Sequence, residues 1–84
     1  MSSLRWTLEA SEALEPLSES ERIALFTNLE LLEQFPAMYP VRQRGRYVGL
    51  RYFVLKKRWL VYYRLLDSGL ILVFSIVAAR VQPQ

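Results

Sequence analysis

Gly49-Leu50-Arg51-Tyr52-Phe53-Val54-Leu55, then Lys56-Lys57-Arg58, then Trp59-Leu60-Val61-Tyr62-Tyr63-Arg64-Leu65-Leu66, then Asp67-Ser68-Gly69 and an apolar run from Leu70 to Ala79 follow one another through the second half of the chain. From Tyr47 the pattern has period two. Val48, Leu50, Tyr52 and Val54 fall on one side, and Tyr47, Gly49, Arg51, Phe53 and Leu55 on the other, which predicts a strand over 47–55. After a basic turn, Trp59, Val61, Tyr63 and Leu65 alternate with Leu60, Tyr62, Arg64 and Leu66, a second strand. Gly69 can take the positive φ that a tight hairpin needs. The nearly continuous apolar run after it fits a strand buried on both faces or covered by a partner. Three strands joined by short turns make an antiparallel meander.

Upstream, Leu4-Arg5-Trp6-Thr7 alternates briefly as a short strand would. Thr7 can cap a helix through Leu8, Ala10, Ala13, Leu14 and Leu17 that Pro16 brings to an end. Ser18-Glu19-Ser20-Glu21 reads as a capping box, which opens a second helix. Ile23, Phe26, Leu29, Leu32 and Phe35, with Leu25 widening the stripe, form its expected buried face; Pro36 and Pro40 close it. The reading is an α+β fold of order β-α-α-β-β-β, with a two-helix hairpin packed on a small antiparallel sheet, forming one domain over residues 1–84. The loop from Tyr39 to Arg46 has no clear period.

The chain has 84 residues, 11 of them Lys or Arg and 8 Asp or Glu, with 52% hydrophobic residues and neither Cys nor His. A chain this short buries only roughly 60% of its unfolded surface. Disulfides and thiolate metal sites are excluded, and without His so are hydrolytic triads and most metal-assisted chemistry; no cofactor or metal is expected. The longest apolar run is half the length a bilayer span requires, and Met1-Ser2-Ser3-Leu4-Arg5-Trp6 has no secretory character, so the expected location is the cytoplasm. The charge is divided. Residues 1–38 carry two cations against seven anions, and residues 39–84 nine cations against Asp67 alone. Seven of those nine are Arg, suited to forked hydrogen bonds with phosphate or carboxylate.

With these blocks in view, the chain resembles the RelE/ParE superfamily of bacterial toxins. The family has an Arg near the start of its second strand, an aliphatic-aromatic-Tyr-Arg end to its third and an Arg at the end of its last. Arg51, Tyr62-Tyr63-Arg64 and Arg80 stand at those places. The resemblance implies a growth-inhibiting toxin of a type II, plasmid-stabilising toxin–antitoxin system, with a cognate antitoxin as partner. One branch cuts messenger RNA on the ribosome with basic groups and a Tyr, and Arg51 and Arg80 are the catalytic candidates it would supply. Phe53 stands where that branch has a Lys, Leu60 where it has an Arg, and its late Tyr is missing. The resemblance therefore points to the ParE-like branch, which binds a target such as DNA gyrase and blocks it without acid–base chemistry. The alternatives are a RelE-like endoribonuclease and a non-toxic RNA- or protein-binding module of the same fold.

The candidate target- or antitoxin-binding residues are Arg46, Arg51, Lys56, Lys57, Arg58, Arg64 and Arg80. Plainer roles stand beside these. Arg51 can make a surface ion pair, Arg64 can pair with Glu30 or Glu33, and Lys56-Lys57-Arg58 can be a solvated hairpin tip that discourages edge pairing. Trp59 and Tyr63 read as core. The apolar fraction leaves surface that an antitoxin or a homodimer would cover.

Overall fold

The computed structural model describes residues 4–79, in the order β1 (Leu4–Trp6), α1 (Leu8–Glu12), α2 (Glu19–Gln34), β2 (Arg51–Leu55), β3 (Trp59–Leu65) and β4 (Ile71–Ala78). The strands lie side by side as β1-β4-β3-β2. β2, β3 and β4 form the expected meander, while β1 pairs parallel to β4, so the sheet is mixed. The sequence reading anticipated only antiparallel pairing. A strand as apolar as β4 needs neighbours on both edges, and β1 fills the second one; the helices that follow β1 then carry the chain across the sheet to β2 at the opposite edge.

The helices begin where the side chains can satisfy free amides. The Thr7 hydroxyl accepts from the Ala10 amide at 3.0 Å and donates to the Phe74 carbonyl at 2.7 Å, so the cap of α1 also ties it to β4. α1 stops at Glu12, short of the expected end near Leu17, and continues as three-residue turns. Pro16 explains this, because a proline ring clashes with the helical carbonyl four residues earlier, which is that of Glu12. The freed Leu14 and Glu15 carbonyls accept from the Arg22 guanidinium at 2.9–3.1 Å.

At α2 the capping box is complete: the Ser18 hydroxyl accepts from the Glu21 amide, and the Ser18 amide donates to Glu21 Oε1 at 2.8 Å. Its buried line is Leu25, Leu29 and Leu32, with Glu21 one turn before them. The expected stripe needs correction here. Ile23 is 61% exposed, Phe26 44% and Phe35 57%. Steps of three residues fall about 60° short of a full turn, so a line taken in threes from Ile23 to Phe35 winds off the face it starts on. Steps of four and three hold one face.

The buried line meets Phe53, Leu55, Val61, Tyr63, Ile71, Val73 and Ile76 across the sheet, with Ala10 and Leu17 closing the end. Phe26 instead lies at the rim, its ring 5.9 Å from that of Trp6. The predicted strand over 47–55 is shorter than expected and begins at Arg51. Gly49, at φ +89°, turns the backbone out of register just before it. At the next hairpin Lys56 and Lys57 both have positive φ, 53° and 59°, the twist that suits two tightly joined strands but costs side chains other than Gly. Gly69 has the positive φ expected of it.

Two outcomes follow from this packing. Leu29→Ala should cost about 2–5 kcal/mol in denaturant unfolding, and Phe26→Ala no more than about 1 kcal/mol, reversing their expected equivalence. The Glu21 carboxyl is held below its ordinary range, chiefly by the Ser18 amide, against desolvation and with help from the Arg58 guanidinium. A lowered carboxyl stabilises the fold above its unfolded pKa and loses that contribution as pH falls through the folded one. Urea midpoints from pH 7 to pH 3 should therefore fall more steeply for the wild type than for Glu21→Gln; parallel curves would show that Glu21 carries no acid-linked stability.

Candidate functional site: the open face of the sheet

Successive residues of a strand point to opposite sides, so β3 divides its side chains between two layers. Tyr63 faces the helices, fully buried, and its hydroxyl donates to the Pro36 carbonyl at 3.1 Å. Burial pushes its phenol up to about 12, against the opposing effect of the Arg51 guanidinium, so it stays a protonated donor at neutral pH. Tyr62 faces the other way, onto a side that no helix covers, yet it is only 2% exposed. The loop over residues 41–50 covers it.

This loop is ordered from both its backbone and its side chains. The Arg42 amide donates to the Leu50 carbonyl at 2.7 Å, the Gly49 amide to the Arg42 carbonyl at 3.0 Å, and the Leu50 amide to the Tyr47 carbonyl at 3.1 Å. Above that frame the Tyr47 ring stacks on Tyr62, centroids 4.1 Å apart and planes 17° from parallel. Tyr52 leans on Tyr62 from β2 at 5.8 Å. The Arg46 guanidinium lies 5.6 Å from the centre of the Tyr47 ring, and that of Arg42 lies 5.5 Å from Tyr52. The result is a ladder of three tyrosines across the open face, Tyr47, Tyr62 and Tyr52, with an arginine over each end ring, in which cation–π contact adds to ring stacking.

Beside the ladder lies an open cavity of about 260 Å³ lined by Arg46, Val48, Gly49, Leu50, Arg64 and Phe74. Phe74 comes from the point where β4 carries one extra residue, since Tyr62 pairs with Ser75 and Tyr63 with Val73. Among the described residues the one ion pair is that of Arg58 with Glu21, so neither arginine of the cavity has an acidic partner there.

The basic residues singled out from the sequence do not form one cluster. Arg46 and Arg64 come together at the cavity. Arg64 makes no pair with Glu30 or Glu33, because it lies on the face away from the helices. Arg51 lies on the helix side of β2, where its Nη1 donates to the Tyr39 carbonyl at 2.6 Å and lies 3.5 Å from that of Ala37, fixing the exit from α2. Arg58 lies 3.4 Å from the Glu21 carboxylate and covers the Trp59 ring at 5.4 Å, joining the hairpin to the start of α2. The Trp59 indole N–H beneath it is buried without a hydrogen-bond partner. Lys56 and Lys57 are exposed at the tip, and Arg80 lies outside the described residues. Arg42, Tyr47 and Phe74 complete the open face and were missed as site residues. Gly45 and Gly49, which bracket the turn, were the signal that residues 45–49 leave the strand.

If stacking holds the loop, Tyr47→Ala should speed amide exchange at Gly49 and Leu50 about tenfold while leaving β3 and β4 unchanged, and Tyr47→Phe should restore protection. Unchanged exchange in Tyr47→Ala would mean that the backbone bonds suffice.

Comparison with known proteins gives this arrangement a family. No curated protein sequence matches the chain. Among solved structures, a chain of the intact E. coli RelBE toxin–antitoxin complex superposes with a TM-score of 0.78 at 17% identity, over 95% of this chain and 99% of that one. The isolated E. coli RelE toxin gives 0.77 at 18% identity, over 98% and 88%. E. coli RelE bearing two arginine substitutions, in complex with a RelB antitoxin peptide, gives 0.77 at 18%, over 95% and 85%. At such identities the likeness establishes the fold. The family model for the ParE toxin of the type II toxin–antitoxin system parDE matches residues 4–83, and the chain therefore belongs to the ParE family of type II toxin–antitoxin toxins.

Proposed function

We propose that this toxin acts by binding, in the ParE-like manner, a target such as DNA gyrase, and that a cognate antitoxin neutralises it in the cytoplasm. The observation that carries this reading is how the fold uses the positions that a nuclease would need. Arg51 is committed to the carbonyls of residues 37 and 39 on the helix side, and Phe53 is buried with its ring 5.0 Å from Tyr39. Leu60 pairs with Val54 and Val77 on the open face, an apolar strip where the nuclease branch has a cation. General acid–base work needs titratable groups poised at the reacting atoms. Arginines stacked on tyrosines serve a different purpose, since Arg and Tyr are the side chains that anchor protein interfaces. The antitoxin is supported by the family and by the RelE structures, two of which contain an antitoxin chain or peptide.

The experiment runs the purified chain in two assays, supercoiling by DNA gyrase and cleavage of messenger RNA on programmed ribosomes. The expected result is loss of supercoiling with transcripts intact, reversed when the product of an adjoining reading frame co-purifies with the chain. Cut transcripts with normal supercoiling would establish the ribonuclease reading instead. Harmless expression without any antitoxin, with both assays silent, would leave a binding module of the same fold.

A further inference from the structure

We infer that the cavity between Arg46 and Arg64 is the seat for one acidic side chain, flanked by an apolar residue, from the segment of antitoxin that neutralises the toxin; this rests on the antitoxin partner proposed above. Three observations carry it. The first is charge: two guanidiniums border one cavity, and neither has an acidic partner among the described residues. Cations placed together repel, and an incoming carboxylate removes that cost while accepting forked hydrogen bonds.

The second is the rest of the lining. Val48, Leu50 and Phe74 supply an apolar wall and Gly49 an uncrowded one. Val48 is 58% exposed, which leaves room for an apolar neighbour of the bound carboxylate. A phosphate-binding site would instead gather backbone amides around the anion, but the Val48, Gly49 and Leu50 amides all donate within the loop. The volume, about 260 Å³, falls below the ~300–1,000 Å³ of clefts that enclose a whole small ligand. It suits a side chain better than a nucleotide.

The third is rigidity. Tyr47 stacked on Tyr62 and the backbone bonds of the loop hold Arg46 near the position it needs before anything binds, so little ordering entropy remains to be lost there. Arg64 rises from β3, whose neighbours on both sides are paired strands.

The test titrates the full chain, labelled with ¹⁵N, with a capped peptide of sequence Leu-Glu-Leu-Glu-Leu, and follows amide shifts by NMR. Shifts should concentrate at residues 46–50, 64 and 74. Replacing both Glu of the peptide by Gln, or making Arg64→Gln or Arg46→Gln in the chain, should each weaken binding about tenfold or more. Arg44→Gln, which changes an exposed cation outside the cavity, should leave it unchanged. Inorganic phosphate at equal concentration should produce smaller shifts. Equal shifts from phosphate would overturn the carboxylate assignment, and shifts absent or spread over the surface would overturn the site. Either failure leaves the antitoxin reading standing on co-purification, whereas a localised titration without a co-purifying partner would fail that reading and keep the cavity.

Discussion

Tyr62 and Tyr63 are adjacent on β3 and point to opposite sides of the sheet, and each holds one of the layers that the fold adds to its strands. Tyr63 reaches into the helix layer and ends on the Pro36 carbonyl, beside the place where Arg51 binds the carbonyl of Tyr39. Tyr62 is the platform on which Tyr47 lies. The register shift against β4 falls between these two residues. A one-residue slip in β3 would turn both rings to the wrong side, exposing a core phenol and leaving the loop without its stacking partner. The constraint is a matter of parity along one strand.

The arginines divide along the same line. Arg22, Arg51 and Arg58 are engaged on the helix side, by the Leu14 and Glu15 carbonyls, the Tyr39 carbonyl and the Glu21 carboxylate respectively. Each closes a place where the chain leaves or enters regular structure, and an unsatisfied carbonyl there would be costly if buried. On the open face Arg42 and Arg46 lie over tyrosines, while Arg64 borders the cavity. Counting cations along the sequence therefore overstates the binding surface, since part of the positive charge works inside the fold.

What could be read in the sequence was local in origin. The Ser18 to Glu21 box, the turn at Gly69 and the alternation through Trp59 to Leu65 each depend on residues within a few positions of one another, and each was found where expected. The buried line of α2 was misread because Ile23 and Phe26 are apolar yet exposed, and only the angular spacing distinguishes them from Leu25 and Leu29. The parallel pairing of β1 with β4 joins Leu4 to Ile71, and the stacking of Tyr47 on Tyr62 joins a loop to a strand fifteen positions on. Such long-range contacts leave no periodic mark. For the same reason the hold of Arg51 on the Tyr39 carbonyl cannot be read from its place in the strand, since it joins β2 to the loop after α2.

The distribution of charge bears on how a partner would arrive. Residues 1–38, which supply β1 and both helices, sum to five negative charges, and residues 39–84, which supply the meander and the loop, sum to eight positive ones. Some of each is neutralised internally, as at Arg58 and Glu21. The remainder still leaves the two halves of the chain opposite in sign, with the anions on the helices and the turn between them and most of the cations on the loop and the meander. A division of charge of this kind raises the rate at which an acidic partner would meet the basic elements and lowers it at the acidic ones. Short-range fit at the arginine–tyrosine ladder then acts on encounters already oriented. Screening weakens the steering beyond ~8 Å at physiological salt, so the final selection rests on the rings and guanidiniums that the loop holds in place.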